Sequence, residues 1–189
     1  MSATTPIADV TRFDAVEGYC GQLSYRPGDE VTLHVASRSA QFDVEVYRWG
    51  ATRELVWSQL GVVGVDHAVP ADADANGCGW PVAVRFTVPS EWRSGFFHVV
   101  LRGHDDPSDA AAGHAQFVVR SATPRARALL VIATNTYNAY NNWGGCSLYT
   151  GGNAVCFDRP FGRGMIWRPG TERDDRKSRP RYTGEEHDI

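Results

Sequence analysis

Val31-Thr32-Leu33-His34-Val35-Ala36 and Phe42-Asp43-Val44-Glu45-Val46-Tyr47 decide the fold. Apolar side chains stand at every second position of both runs, and a strand turns successive side chains to opposite faces, so each run offers one face to a core. Pro27-Gly28-Asp29 turns the chain ahead of the first run, and Trp49-Gly50-Ala51 closes the second before Glu54-Leu55-Val56-Trp57-Ser58 begins another. Further runs lie at 82–88, 95–101 and 114–119. From Val16 onward this makes about seven short strands with turn signals roughly every dozen residues, which predicts a β-rich, immunoglobulin-like β-sandwich over residues 13–121. Residues 1–12 are small and polar, and are expected to be weakly fixed.

Several side chains in this half need a reading of their own. His34 and His98 fall inside strand runs and are expected to face solvent from a sheet. His104-Asp105-Asp106, ahead of Pro107, reads as a turn. The connection over 65–79 carries Asp66, Asp72 and Asp74, but it lacks the fixed glycine and closing glutamate of a helix-flanked calcium loop, so a solvated loop is expected. Trp57, Trp80 and Trp92 are expected in core or sheet-edge packing, with a sugar-binding face as the other use of such rings.

Composition narrows the classes of function. The chain has 189 residues, 42% of them hydrophobic, with a formal charge of -3 and a pI near 6.0. That is enough apolar material for a core, and it gives no electrostatic reason to expect nucleic acid. No apolar run approaches the length of a membrane span, and the first residues lack the basic and apolar regions of an export signal, so a cytoplasmic protein without membrane attachment is expected. Cys20, Cys78, Cys146 and Cys156 form no C-x-x-C pair. They are expected reduced, and a structural zinc site would need closer pairs.

The character of the sequence changes near residue 122. Residues 122–127 hold a proline among small residues and arginines, as an interdomain linker does. Ala128-Leu129-Leu130-Val131-Ile132 follows, without polar alternation, and reads as a strand buried on both faces, as in a parallel sheet. The polar, aromatic stretch Tyr137-Asn138-Ala139-Tyr140-Asn141-Asn142-Trp143-Gly144-Gly145-Cys146-Ser147-Leu148-Tyr149 would then emerge from its carboxyl end, where open α/β sheets bind ligands. Residues 128–189 are therefore expected to begin an α/β, Rossmann-like, parallel-sheet domain of catalytic type. Crossover units need about 30 residues each, and the charged run over 168–189 has the composition of an open loop, so the domain is expected to be incomplete within this sequence.

Tyr137-Asn138-Ala139-Tyr140-Asn141-Asn142-Trp143-Gly144-Gly145, with Ser147-Leu148-Tyr149 and then Phe157-Asp158-Arg159-Pro160-Phe161, resembles the large (beta) subunit of N,N-dimethylformamidase and its relatives. Ser24-Tyr25-Arg26-Pro27-Gly28-Asp29-Glu30 and Val44-Glu45-Val46-Tyr47-Arg48-Trp49-Gly50 carry a fainter likeness. The resemblance implies the front portion of a metal-dependent amidohydrolase that splits small N-substituted formamides into formate and an amine. It implies iron held by tyrosines and a glutamate, a small accessory subunit and a homo-oligomer. Ferric iron is a hard Lewis acid suited to anionic oxygen, so Tyr140 is the first candidate ligand, with Tyr137 and Tyr149 after it. Glu172, Glu185 and Glu186 lie in the charged tail and read as solvated. Asn138, Asn141, Asn142, Trp143, Gly144 and Gly145 are candidates to contact the substrate or to support the metal ligands. Two other readings stay open: Cys146 as the nucleophile of a thiol amidase, which needs a histidine partner, and a non-catalytic sandwich module that binds carbohydrate or a partner protein.

Overall fold

The computed structural model describes residues 15–108, 111–121, 123 and 127–167. The expectations for residues 1–12, for most of the 122–127 linker and for the charged run over 168–189 lie outside the described residues. Eight strands form in the order β1 (Val16–Cys20), β2 (Ser24–Tyr25), β3 (Glu30–Ser37), β4 (Gln41–Trp49), β5 (Arg53–Val63), β6 (Val82–Thr87), β7 (Gly95–Gly103) and β8 (Gly113–Val119). They make two sheets, a three-stranded one ordered β1-β3-β6 and a five-stranded one ordered β2-β8-β7-β4-β5. Every pairing is antiparallel except the short parallel contact of β2 with β8.

The period of two does what the sequence predicts. Val31, Leu33 and Val35 of β3 and Phe42, Val44 and Val46 of β4 meet in one core between the sheets, joined by Val84, Phe97, Val99, Leu101 and Phe117. Trp92 stacks on Phe97 with ring centres 4.8 Å apart, and Trp57 stacks on Phe86 at 4.2 Å. These two rings therefore close the margin of the core, and Trp80 is buried at 4% exposure. None of the three lines an open sugar-binding face.

The outer faces depart from expectation. A solvent-facing sheet alternates buried with wet positions, yet on β1 the intervening residues Glu17 and Tyr19 are buried as well. His34, opposite Tyr19 in the register, stacks on its ring at 4.9 Å. His98, an outward residue of β7, is 1% exposed beneath Trp167. Neither histidine simply faces solvent from its sheet: His34 is half-buried against Tyr19 and the Trp80 carbonyl, while His98 is covered by chain from beyond β8.

That later chain also corrects the reading of residues 128–132. They form no strand, and Leu129, Leu130 and Val131 are 87%, 79% and 79% exposed. A strand needs a neighbour for its amides and carbonyls, and neither sheet pairs with this run. After β8 the described residues contain one helix, α2 (Thr134–Tyr140), and no strand. The expected opening of a parallel sheet is thus not found among the described residues. No helix among them is long and apolar enough to cross a membrane.

Candidate functional site

The motif over 137–149 is held on the outer face of the three-stranded sheet, and Trp143 is its anchor. Its indole is 1% exposed, meets Trp80 edge-on at 5.7 Å and donates from Nε1 to Glu17 Oε1 at 2.9 Å. Tyr19, Ala36, Ala73, Cys78 and Trp80 complete this second apolar cluster. An indole N–H that is buried needs an acceptor, and Glu17 Oε1 supplies it. Burial raises the pKa of the Tyr19 phenol, which lies against the same cluster.

The connection between β5 and β6 is the other half of the mount. It contains the short helix α1 (Ala73–Asn76), whose Ala73 is fully buried, so it is not the solvated loop that its composition suggests. Asp74 accepts from Cys146 N through Oδ2 at 2.9 Å, and its own carbonyl accepts from Cys156 N at 2.7 Å. Cys78 N donates to Asp158 O at 2.8 Å. Gly144 and Gly145 sit where this helix comes closest. Gly144 has φ +78°, and a Cβ there would stand 3.1 Å from Ala73 Cβ; one on Gly145 would stand 3.0 Å from Asp74 Oδ2. The paired glycines serve close approach and a backbone conformation that other residues resist.

Arg159 ties the inside of the motif together. Its side chain is 1% exposed and donates to four backbone carbonyls, those of Asn141 (2.8 Å), Trp143, Cys146 (3.4 Å) and Cys156 (3.1 Å). Burial pulls its pKa down while Asp74 nearby opposes the fall. Asn141 completes the frame, donating from its side chain to Pro160 O at 2.9 Å and accepting from Trp143 N and Gly162 N.

The proposed site residues therefore separate. Asn138, Asn141, Trp143 and Gly144 are buried, with Asn141 and Trp143 committed to internal bonds, whereas Asn142 and Gly145 are exposed. Tyr140 and Tyr149 come together, their rings stacked 4.2 Å apart and 20° from parallel, with Leu148 N donating to Ala139 O at 3.0 Å beside them. Tyr137 is 42% exposed on α2. The backbone of Cys146 is held by Asp74, and described histidines are engaged elsewhere: His34 with Trp80 O, His98 with His114, and His104 with Asp43. His67 lines a cavity of about 270 Å³ between Val35, Phe42, Val63, Val65 and the start of β6. All four cysteines are free thiols. The roles of Glu17, Asp74 and Arg159 as a frame escape sequence reasoning, although Asp74 lies in the carboxylate-bearing connection over 65–79, Arg159 lies in the block Phe157-Asp158-Arg159-Pro160-Phe161, and Glu17 is a charged residue inside the strand run Val16-Glu17-Gly18-Tyr19-Cys20.

Fold and site together define a two-sheet β protein that carries, on one outer face, a docked polar and aromatic module with a surface pair of phenols. The family described as N,N-dimethylformamidase beta subunit-like, C-terminal, matches residues 43–188, and the chain belongs to that family. A search of curated proteins finds no match.

Proposed function

We propose that the chain is a portion of a metal-dependent amidohydrolase that cleaves the C–N bond of small N-substituted formamides or related amides to a carboxylate and an amine. The observation that carries this reading is the stacked Tyr140–Tyr149 pair, held at the surface by a buried frame in a chain of this family. The two sheets would be an immunoglobulin-like sandwich over 13–121, joined by a linker at 122–127 to catalytic-type chain over 128–189. An accessory subunit, as the family's description as a beta subunit suggests, and self-association belong to the same reading.

Two phenols are hard oxygen donors of the kind ferric iron takes, so Tyr140 and Tyr149 fit as two of its ligands, with Tyr137 one turn earlier as the reserve. Among the described residues no group of three or more His, Cys, Asp or Glu could hold a metal, and one carboxylate beside the two phenols would complete a hard oxygen set of the kind ferric iron takes. Bound there, iron would supply a Lewis acid that polarises an amide carbonyl. The chain's own part is to hold the two phenol rings together, and to offer the exposed Asn142 carboxamide as a hydrogen-bond partner for the amide. The test is iron content and formate release from dimethylformamide. Stoichiometric iron that is lost in Tyr140→Phe, with activity lost in parallel, supports the proposal; hydrolysis at iron far below stoichiometry overturns it and returns attention to Cys146→Ala.

A further inference from the structure

The geometry points to Arg159 as the positioning residue that closes the Tyr140–Tyr149 pair, an inference that rests on reading that pair as the working surface. The two tyrosines are separated by a turn-rich loop, and nothing in their own contact would fix so long a loop in one shape, because ordering it costs backbone entropy. Beside the bonds of Trp143 N to Asn141 Oδ1, Trp143 Nε1 to Glu17 and Cys146 N to Asp74, three of the bonds that fix it converge on one guanidinium. Arg159 donates to Asn141 O at 2.8 Å, one residue after Tyr140, and to the carbonyls of Trp143 and Cys146 farther along the loop. Beyond Cys146 the chain turns through Ser147, whose N–H and hydroxyl both bond Thr150 Oγ1 at 2.9 and 3.0 Å, and whose Oγ accepts from Tyr149 N at 3.2 Å. Leu148 N then returns to Ala139 O. Arg159 thus grips the departing limb of the loop at Asn141 and its far limb at Cys146, and the second ring lands on the first.

Arginine suits this task and lysine does not. A planar fork with five donors can serve several carbonyls at fixed angles, while an ammonium offers three donors on a flexible stem. The hydrogen-bond partners of the fork are carbonyls, so its role in the loop is geometric, with Asp74 nearby as the charge that favours it.

The experiment uses the full chain with its tyrosines isotopically labelled, and reads the upfield ring-current shift that each ring of the stacked pair imposes on the other, assigned with Tyr149→Leu. Thermal unfolding and the signals of Phe97 and Phe117 report whether the sandwich is intact. Arg159→Ala is expected to lose the shift while the sandwich signals stay, and millimolar guanidinium ion is expected to restore it. Arg159→Lys, which keeps the cation and most of the volume, is expected to lose the shift as well. A folded Arg159→Lys or Arg159→Ala variant with the shift retained overturns the proposal, as does a loss that guanidinium leaves unchanged. The visible absorption of iron-loaded wild-type chain separates the two claims: a shift that depends on Arg159, without a phenolate-to-iron band, leaves the positioning role standing and removes the metal reading.

Discussion

Replacing Trp143 tests how the 137–149 motif is attached. Truncation to alanine removes a fully buried indole, and Trp→Ala changes in cores cost about 3–5 kcal/mol. It also strips Glu17 Oε1 of its indole donor, which adds roughly 1–3 kcal/mol for a buried polar group that loses its partner. Trp143→Phe keeps a ring against Trp80 and loses chiefly the hydrogen bond to a carboxylate, about 1.5–3 kcal/mol. Trp143 belongs to the second cluster, apart from the core between the sheets, so the loss is expected to be local. Amide exchange is the assay. The amides of Cys78, Cys146 and Cys156, which bridge the two halves of the mount, should lose about a thousandfold protection or more in Trp143→Ala, since each 1.4 kcal/mol is tenfold, and should fall by less in Trp143→Phe. Amides of Val44, Val99 and Phe117 should keep theirs. Unchanged protection at Cys146 and Cys156, or equal losses in the two variants, would refute the argument that the indole and its bond to Glu17 anchor the motif.

The pH dependence follows from His98, whose pKa burial, helped by His114, Arg53 and Arg102, lowers from 6.5 to about 2. A depressed folded value means that the unfolded chain binds the extra proton, so stability declines as pH falls below about 6.5, by up to about 1.4 kcal/mol per pH unit for this one site. His98→Gln should flatten urea-derived stability between pH 6 and pH 4.5 by about that slope; parallel curves would contradict the assignment. Gly144→Ala meets both a positive φ and Ala73 at 3.1 Å, while Gly151→Ala has φ +115° with nothing within 4 Å. Strain alone costs about 1–3 kcal/mol, so both should lower the melting temperature, and Gly144→Ala by more; the reverse order would count against close approach as the reason for the paired glycines.

The strands were legible because their signal is local. Val31, Leu33 and Val35 are neighbours in a pattern that any sheet must satisfy, and turns such as that at Gly28, with φ +90°, punctuate it. Leu129, Leu130 and Val131 show where such reasoning stops. An apolar run records a demand for cover, but the partners that would make it a strand are set elsewhere, and here neither sheet takes it up. The site was half legible in the same sense. Tyr140 and Tyr149 stood out through the family resemblance of the motif that carries them, and their meeting depends on Arg159, eighteen residues past Asn141. The burial of Glu17 is not legible in the strand that carries it, because nothing local announces that a tryptophan from 126 residues away will cover it.

Two tryptophans give the attachment its logic. Trp143 is seated on the outer face of the three-stranded sheet, while Trp167 lies on the five-stranded one, against Trp49 at 5.6 Å and His98 at 5.9 Å, with the Arg53 guanidinium 5.2 Å from its ring. The chain between them carries Arg159 and Asn141's partners Pro160 and Gly162. Its two ends are thereby fixed against opposite sides of one packed core, and a protein core transmits position because it is dense and deforms little. The stacked phenols inherit their placement from that frame: the loop that bears them is short of regular structure, with only α2 to support it, and would have little reason to hold one shape alone. The sandwich, which contains none of the proposed metal ligands, is in this view what makes a surface pair of tyrosines definite enough to act as a site.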